Sequence, residues 1–222
     1  MDSTPTPLSQ SPHALLLAQR LVALNLHPEQ DLHPSWLPAG WPARHRRFGA
    51  AGRAVLGDVL RAADAPPPVW SFDDPAERLA LVDGPSLRRL AAYCGFAVHR
   101  PAFRQRGLAR ALERQARRYD ADAVPFVLDR LPHLDHFAMN LRDLEARPSG
   151  AGHLVVDRGH RLLLAALSGT GEVLSGHVRR KLPRRVSSRP LPVLRPAQQA
   201  QLIEVILLCI VPERLPQWDW LF

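Results

Sequence analysis

Few residues in this sequence are spaced for chemistry. His133-Leu134-Asp135-His136 sets two imidazoles beside a carboxylate, and residues three apart on a helix can share a metal ion. No further ligands follow at a useful spacing and Pro132 interrupts the backbone, so two surface histidines are the better reading. Gly169-Thr170-Gly171-Glu172-Val173-Leu174-Ser175-Gly176 is glycine-rich, yet no lysine follows Gly176 as a phosphate-binding loop requires, and the dinucleotide spacing is missed. It reads as a turn between helices. There is no Gly-x-Ser-x-Gly elbow and no cysteine in a nucleophile setting. Asp73, Asp74, Asp120 and Asp122 stand at helix starts, where a carboxylate offsets the positive end of the helix dipole. No catalytic residue, cofactor site or metal site is expected.

The remaining candidates are basic. Arg106, Arg110, Arg114 and Arg118 recur every fourth residue, and Arg179, Arg180, Lys181, Arg184 and Arg185 place five cations within seven residues. Glu113 can pair with Arg110 or Arg117 for only ~0.3–0.5 kcal/mol, too little to neutralise the stripe. Either group reads as a solvated face or as a docking surface for an acidic partner. For the second cluster, docking on a protein is the expectation. Nucleic-acid binding is the alternative, although no helix-turn-helix, zinc finger or stacking platform accompanies the charge.

The elements that carry these groups read as helices. The chain has 222 residues, 46% of them apolar, with a formal charge of +8; of its 29 basic residues only Lys181 is lysine. That size suits one domain, expected over 13–222 behind a flexible tail at 1–12. Leu87, Leu90, Ala91, Cys94 and Val98 share a helical spacing, with Gly95 either ending the helix or admitting another backbone. Ser86 is the expected cap. Ala102 to Arg118 resumes as a helix bearing the arginine stripe. Arg44 to Ala63 is expected as a helix with Phe48, Ala51, Val55, Val59 and Leu60 inward. Trp36 and Trp41 belong to a proline-rich loop laid on the core, and Val69, Trp70 and Phe72 to a pinned loop. His153 to Val156 reads as a short strand or a helix start. Leu182 to Pro196 reads as a basic exposed loop. Ala197 to Val211 is a core helix stopped by Pro212. Cys94 and Cys209 lie in apolar patterns and read as buried free thiols in preference to a disulfide. The fold class is therefore mainly α, with at most a minor β element. No signal peptide or membrane span is read, so a cytoplasmic location without membrane insertion is expected.

In their order along the chain, Leu90, Cys94, Gly95, Phe96, Val98, His99, Phe103 and Arg104 resemble the centre of the SctK family (YscK and its relatives) of bacterial type III secretion injectisomes. Leu32-His33-Pro34-Ser35-Trp36-Leu37-Pro38 and Val178-Arg179-Arg180-Lys181-Leu182-Pro183 extend the resemblance over roughly residues 20 to 190. It implies a non-enzymatic adaptor of the cytoplasmic sorting platform, peripheral to the inner membrane. Such an adaptor joins the cytoplasmic domain of the ring protein SctD to the pod protein SctQ, and through it to SctL and the ATPase SctN. No family motif of interface residues carries over, so the assignment of Arg179 to Arg185 rests on charge alone.

Overall fold

The computed structural model describes residues 12–37, 39–62, 66–134, 137 and 141–222; the expected tail, together with Asp135 and His136 of the histidine pair, lies outside the described residues, as does the Phe48 side chain. Among the described residues the chain is all helix and turn, with no strand. In order come α1 (Pro12–Leu26), α2 (Trp41–Ala62), α3 (Gly84–Val98), α4 (Ala109–Ala116), α5 (Ala123–Pro125), α6 (Arg142–Ala146), α7 (Ala151–Ala166), α8 (Glu172–Lys181), α9 (Arg184–Ser187), α10 (Pro196–Val205) and α11 (Val211–Arg214). Residues 153–156, open between strand and helix, lie in α7.

The centre is α3. Its N-terminus is capped by Asp83, whose side chain accepts the Ser86 N–H at 2.7 Å; Ser86 itself is buried one turn in and is not the cap. Leu87, Leu90 and every residue from Ala91 to Val98 are buried, so α3 is surrounded rather than one-sided. Gly95 does not end the helix. A side chain there would stand 2.3 Å from the Val155 carbonyl oxygen, and one at Gly159 of α7 would stand 2.1 Å from the Ala91 carbonyl oxygen. The two helices cross backbone to backbone because neither carries a Cβ at the crossing. Gly152, the second residue of α7, lets α4 approach in the same way through Ala111 and Gln115.

Several expected boundaries shift. The arginine stripe is not one helical face: Arg106 lies in the loop containing Gly107 (φ +95°), only Arg110 and Arg114 ride on α4, and Arg118 follows its end. All four remain exposed. In α2, Gly52, Leu56 and Leu60 face inward four residues apart, while Ala51, Val55 and Val59 face outward, one step from the expected register. Pro212 does not stop the last helix. The turns at Ile206–Ile210 widen to π geometry ahead of it, which accommodates a residue with no N–H to donate, and α11 runs on to Arg214. One side of this helix is open, with Leu208 69% exposed and Cys209 half-buried, so of the two thiols only Cys94 is fully buried. Burial pushes both thiols up, Cys94 strongly.

Three histidines are buried, His99, His160 and His177, and burial lowers the pKa of each. The His99 Nε2 accepts from Arg158 Nη1 at 3.1 Å, which fixes the proton on Nδ1, 2.9 Å from the Gly95 carbonyl. Among the described residues, His160, next to the helix crossing, has no hydrogen-bond partner at either ring nitrogen. Burial is the main cause that lowers His99 and His160 from 6.5 to about 4. The unfolded chain takes up these protons at the ordinary value and the folded chain resists them, so stability falls as pH drops from 6.5 towards 4. Each of these two histidines contributes on the order of 3 kcal/mol to that loss. In urea titrations across this window, His160→Leu should make the slope measurably shallower and change stability at pH 7 by less than ~1.5 kcal/mol. Gly159→Ala should cost at least ~3 kcal/mol at pH 7, because the backbone it meets cannot give way as a side-chain end can. A loss below ~0.5 kcal/mol would mean that the helices can part without penalty.

Candidate basic docking surface

Lys181 is the last residue of α8, yet it is 4% exposed. Its Nζ donates to the Val82 carbonyl at 2.7 Å, the Ala80 carbonyl at 2.8 Å and Asp31 Oδ2 at 3.1 Å. An ammonium has three donors about one nitrogen, which suits three convergent acceptors; a planar guanidinium does not. The one lysine in an arginine-rich chain is thus an internal post, and Lys181 drops out of the expected docking cluster. Burial lowers its pKa, opposed by Asp31. Arg20 of α1 completes the arrangement, with Nη2 on the Leu81 carbonyl at 2.9 Å and on Asp31 at 3.3 Å.

The loop before α2 is sewn to the same segment. The His33 N–H donates to the Arg180 carbonyl at 2.9 Å, Trp36 Nε1 donates to the Leu182 carbonyl at 2.8 Å, and Ser35 Oγ accepts the Arg184 N–H at 2.8 Å. Burial lowers the His33 pKa, and the nearby guanidiniums of Arg88 and Arg185 add to the effect. From the opposite side Arg88 of α3 donates to the Lys181 carbonyl at 3.0 Å. Residues 182–187 are consequently not an exposed loop: Leu182 and Val186 are buried and α9 begins at Arg184. The physical reason is that the His33–Trp36 loop hydrogen-bonds to residues 180–184 at three places while Leu182 and Val186 are buried.

What remains outward is narrower than the five-residue cluster. Arg179 is exposed, and Arg180 is half-buried. Arg184 is exposed and its guanidinium lies 5.5 Å from the centre of the Trp36 ring. Arg185 pairs with Asp157 at 2.8 Å, a carboxylate far away in sequence. A cleft of about 400 Å³ opens beside Arg179 and Arg180, between α8 and Pro66–Pro67, with Trp36 at its edge. The glycine-rich stretch that leads into α8 is a turn through Gly171 (φ +98°), although Gly176 belongs to the helix itself.

A second polar group was not legible from local spacing. Asp120 accepts from Arg89 Nε at 3.0 Å and from the Tyr93 hydroxyl at 2.5 Å, while Arg214 donates to Asp122 at 2.7 Å with its guanidinium 3.9 Å from the Phe126 ring centre. Burial and the bond to Asp120 raise the Tyr93 pKa, and the Arg214 bond lowers that of Asp122. These side chains tie α3, the segment leading into α5 and α11 together, although Arg214 Nε is buried without a hydrogen-bond partner among the described residues. Among the described residues no group of three or more His, Cys, Asp or Glu side chains could hold a metal ion, and no helix is long and apolar enough to cross a membrane.

The buried ammonium gives a direct check. An amine-reactive reagent should leave Lys181 unmodified in the native protein and modify it fully in 6 M guanidinium chloride, read by mass spectrometry of the peptide that contains it. Lys181→Met should cost ~2–5 kcal/mol, since it strands Ala80 and Val82 carbonyls and weakens the hold on Asp31. Rapid native modification would overturn this placement. No family model, curated protein or solved structure matches the chain, so this surface is interpreted from its own geometry.

Proposed function

We propose that this protein is a non-enzymatic adaptor of the cytoplasmic sorting platform of a bacterial type III secretion injectisome, linking the cytoplasmic domain of SctD to SctQ and thereby to SctL and the ATPase SctN. The observation that supports it is the assembly of three separated segments into one body. Of the residues that resemble the SctK family, Leu90, Cys94, Gly95, Phe96, Val98, His99 and Phe103 are buried at the centre of the molecule, while Arg104 is exposed. The two outlying resembling segments, around His33–Trp36 and Val178–Pro183, hydrogen-bond to each other and reach α3 through Arg88. A helical body fixed in this way suits a part that holds two partners at a constant spacing.

The exposed Arg110, Arg114, Arg117 and Arg118 favour a second reading, a basic nucleic-acid-binding protein. The two differ in salt dependence, because phosphate contacts release counterions and weaken steeply with salt, whereas a packed protein interface loses less.

The test is binding of the purified protein to the SctD cytoplasmic domain and to SctQ by calorimetry. Wild type should bind both, and Arg179→Glu with Arg184→Glu should weaken at least one of them tenfold or more with an unchanged melting temperature. Binding to neither protein, with salt-sensitive binding to a mixed-sequence duplex, would replace the adaptor reading by the second one.

A further inference from the structure

We infer that the cleft along α8 is a preformed docking site for a short acidic segment of a protein partner that carries one apolar side chain. The inference rests on the adaptor reading for the identity of the partner, but its chemistry comes from the cleft. Five of the lining residues are apolar or lack a side chain: Val173 and Gly176 of α8 form one wall, Pro66 and Pro67 the other, and the Trp36 ring closes one end. A side chain at Gly176 would meet only the Pro66 ring, at 3.6 Å, so the absence of a Cβ there leaves open space rather than relieving a clash. His177 Nε2 lies 3.4 Å from the Pro67 carbonyl, a contact that ties the proline wall to α8.

Charge selects the occupant. Trp36 contacts the Leu182 carbonyl and therefore marks the C-terminal end of α8, where Arg179 and Arg180 also line the cleft. Among the described residues Arg179 makes no ion pair, and Arg184, whose guanidinium lies 5.5 Å from the centre of the Trp36 ring, makes none either. A carboxylate arriving at this end gains charge-assisted bonds that the fold itself does not use. The opposite end is marked by Glu172, seven residues and about 10 Å away along the helix axis. The segment is thus oriented, with its acidic residues over Arg179 and any basic residue towards Glu172. A volume of about 400 Å³ accepts a few side chains; a whole helix, about 10–12 Å across, would need a longer groove.

Gly176→Leu fills the cleft from below. It exchanges a helix-interior glycine for a good helix former, so the variant should fold at least as well as wild type, which a melting curve checks. The probe is a fluorescein-labelled ten-residue peptide with a central leucine followed by aspartates and glutamates, alongside the same peptide with lysines in place of the acids. Fluorescence anisotropy should give a micromolar Kd for the acidic peptide and none for the lysine peptide. Gly176→Leu and Arg179→Glu should each weaken binding tenfold or more, and the double replacement Arg110→Glu with Arg114→Glu should leave it within twofold. Equal binding by wild type and Gly176→Leu, or no binding by wild type, overturns the site. Measuring the same variants against SctD and SctQ separates this inference from the adaptor reading. Cleft-dependent peptide binding without binding of either protein upholds the site and removes the adaptor. Binding of SctD or SctQ that Gly176→Leu leaves intact, with no peptide binding, removes the site and keeps the adaptor.

Discussion

The fold depends on the place where α3 and α7 cross. At that point Gly95 and Gly159 face each other, and either Cβ would lie within about 2.5 Å of a backbone oxygen on the other helix. Helices that touch through backbone bring the side chains on either side of the crossing into full contact, which is why α3 is buried around its whole circumference. The ring contacts follow from this. Tyr93 meets Phe96 and Phe126 edge to face, and Phe96 meets Phe103 and Tyr119 in the same manner. An aromatic cluster of this kind gains more than area when its edges meet faces. It joins the central helix to the turn after it and to the segments at 119 and 126.

The second constraint is electrostatic and lies at the end of α8. Burying an ammonium is costly unless its donors all find acceptors, and Lys181 finds three. Two of them are carbonyls from the turn that precedes α3, and the third is Asp31, which Arg20 also holds. One side chain therefore fixes α1, the turn at Ala80–Val82 and α8 at a common point. The His33–Trp36 loop closes over the outside of the same joint. This is the reason that a sequence cluster of five cations resolves into unlike members. One is a buried post, one is paired with Asp157, and Arg179 and Arg184 are directed outward.

Helical periodicity carried most of the element content, because the apolar spacing in 84–98 and 196–210 is long and regular. Gly95 was legible only as a choice between an ending and a close approach. Resolving that choice needed Gly159, which lies on another helix and leaves no local mark. Register in α2 was ambiguous because apolar residues stand on adjacent faces: Leu56 and Leu60 are buried, while Val55 and Val59 are exposed. The boundary errors at Pro212 and at Ala102–Arg118 arose from non-α turns, where a π or 3₁₀ segment changes the period without changing composition. The five cations of the stretch from Arg179 to Arg185 differ residue by residue in a way their spacing does not show: Lys181 is buried, Arg185 is paired with Asp157, and Arg179 and Arg184 are exposed. Charge counts do not report which cations meet carbonyls, and the partner of Lys181 is 150 residues away.

That last point bears on the whole basic balance of the chain. A formal charge of +8 suggests a cationic surface, yet many guanidiniums are spent on backbone oxygens at the ends of segments. Arg78 donates to the Leu221 carbonyl, Arg88 to that of Lys181, Arg100 to those of Leu128 and Leu131, and Arg161 to that of Pro190. Short helices joined by proline-rich turns leave many carbonyls without a partner four residues on, and a guanidinium with five donors can satisfy two at once. Arginine suits this task because its charge is dispersed and its stem covers apolar surface as it reaches inward. The arginines of α8 and α9 that face outward, and those of α4, are then the ones whose positions the fold does not require. Their exposure, and not the total charge, is what separates them from the guanidiniums held on backbone oxygens inside the molecule.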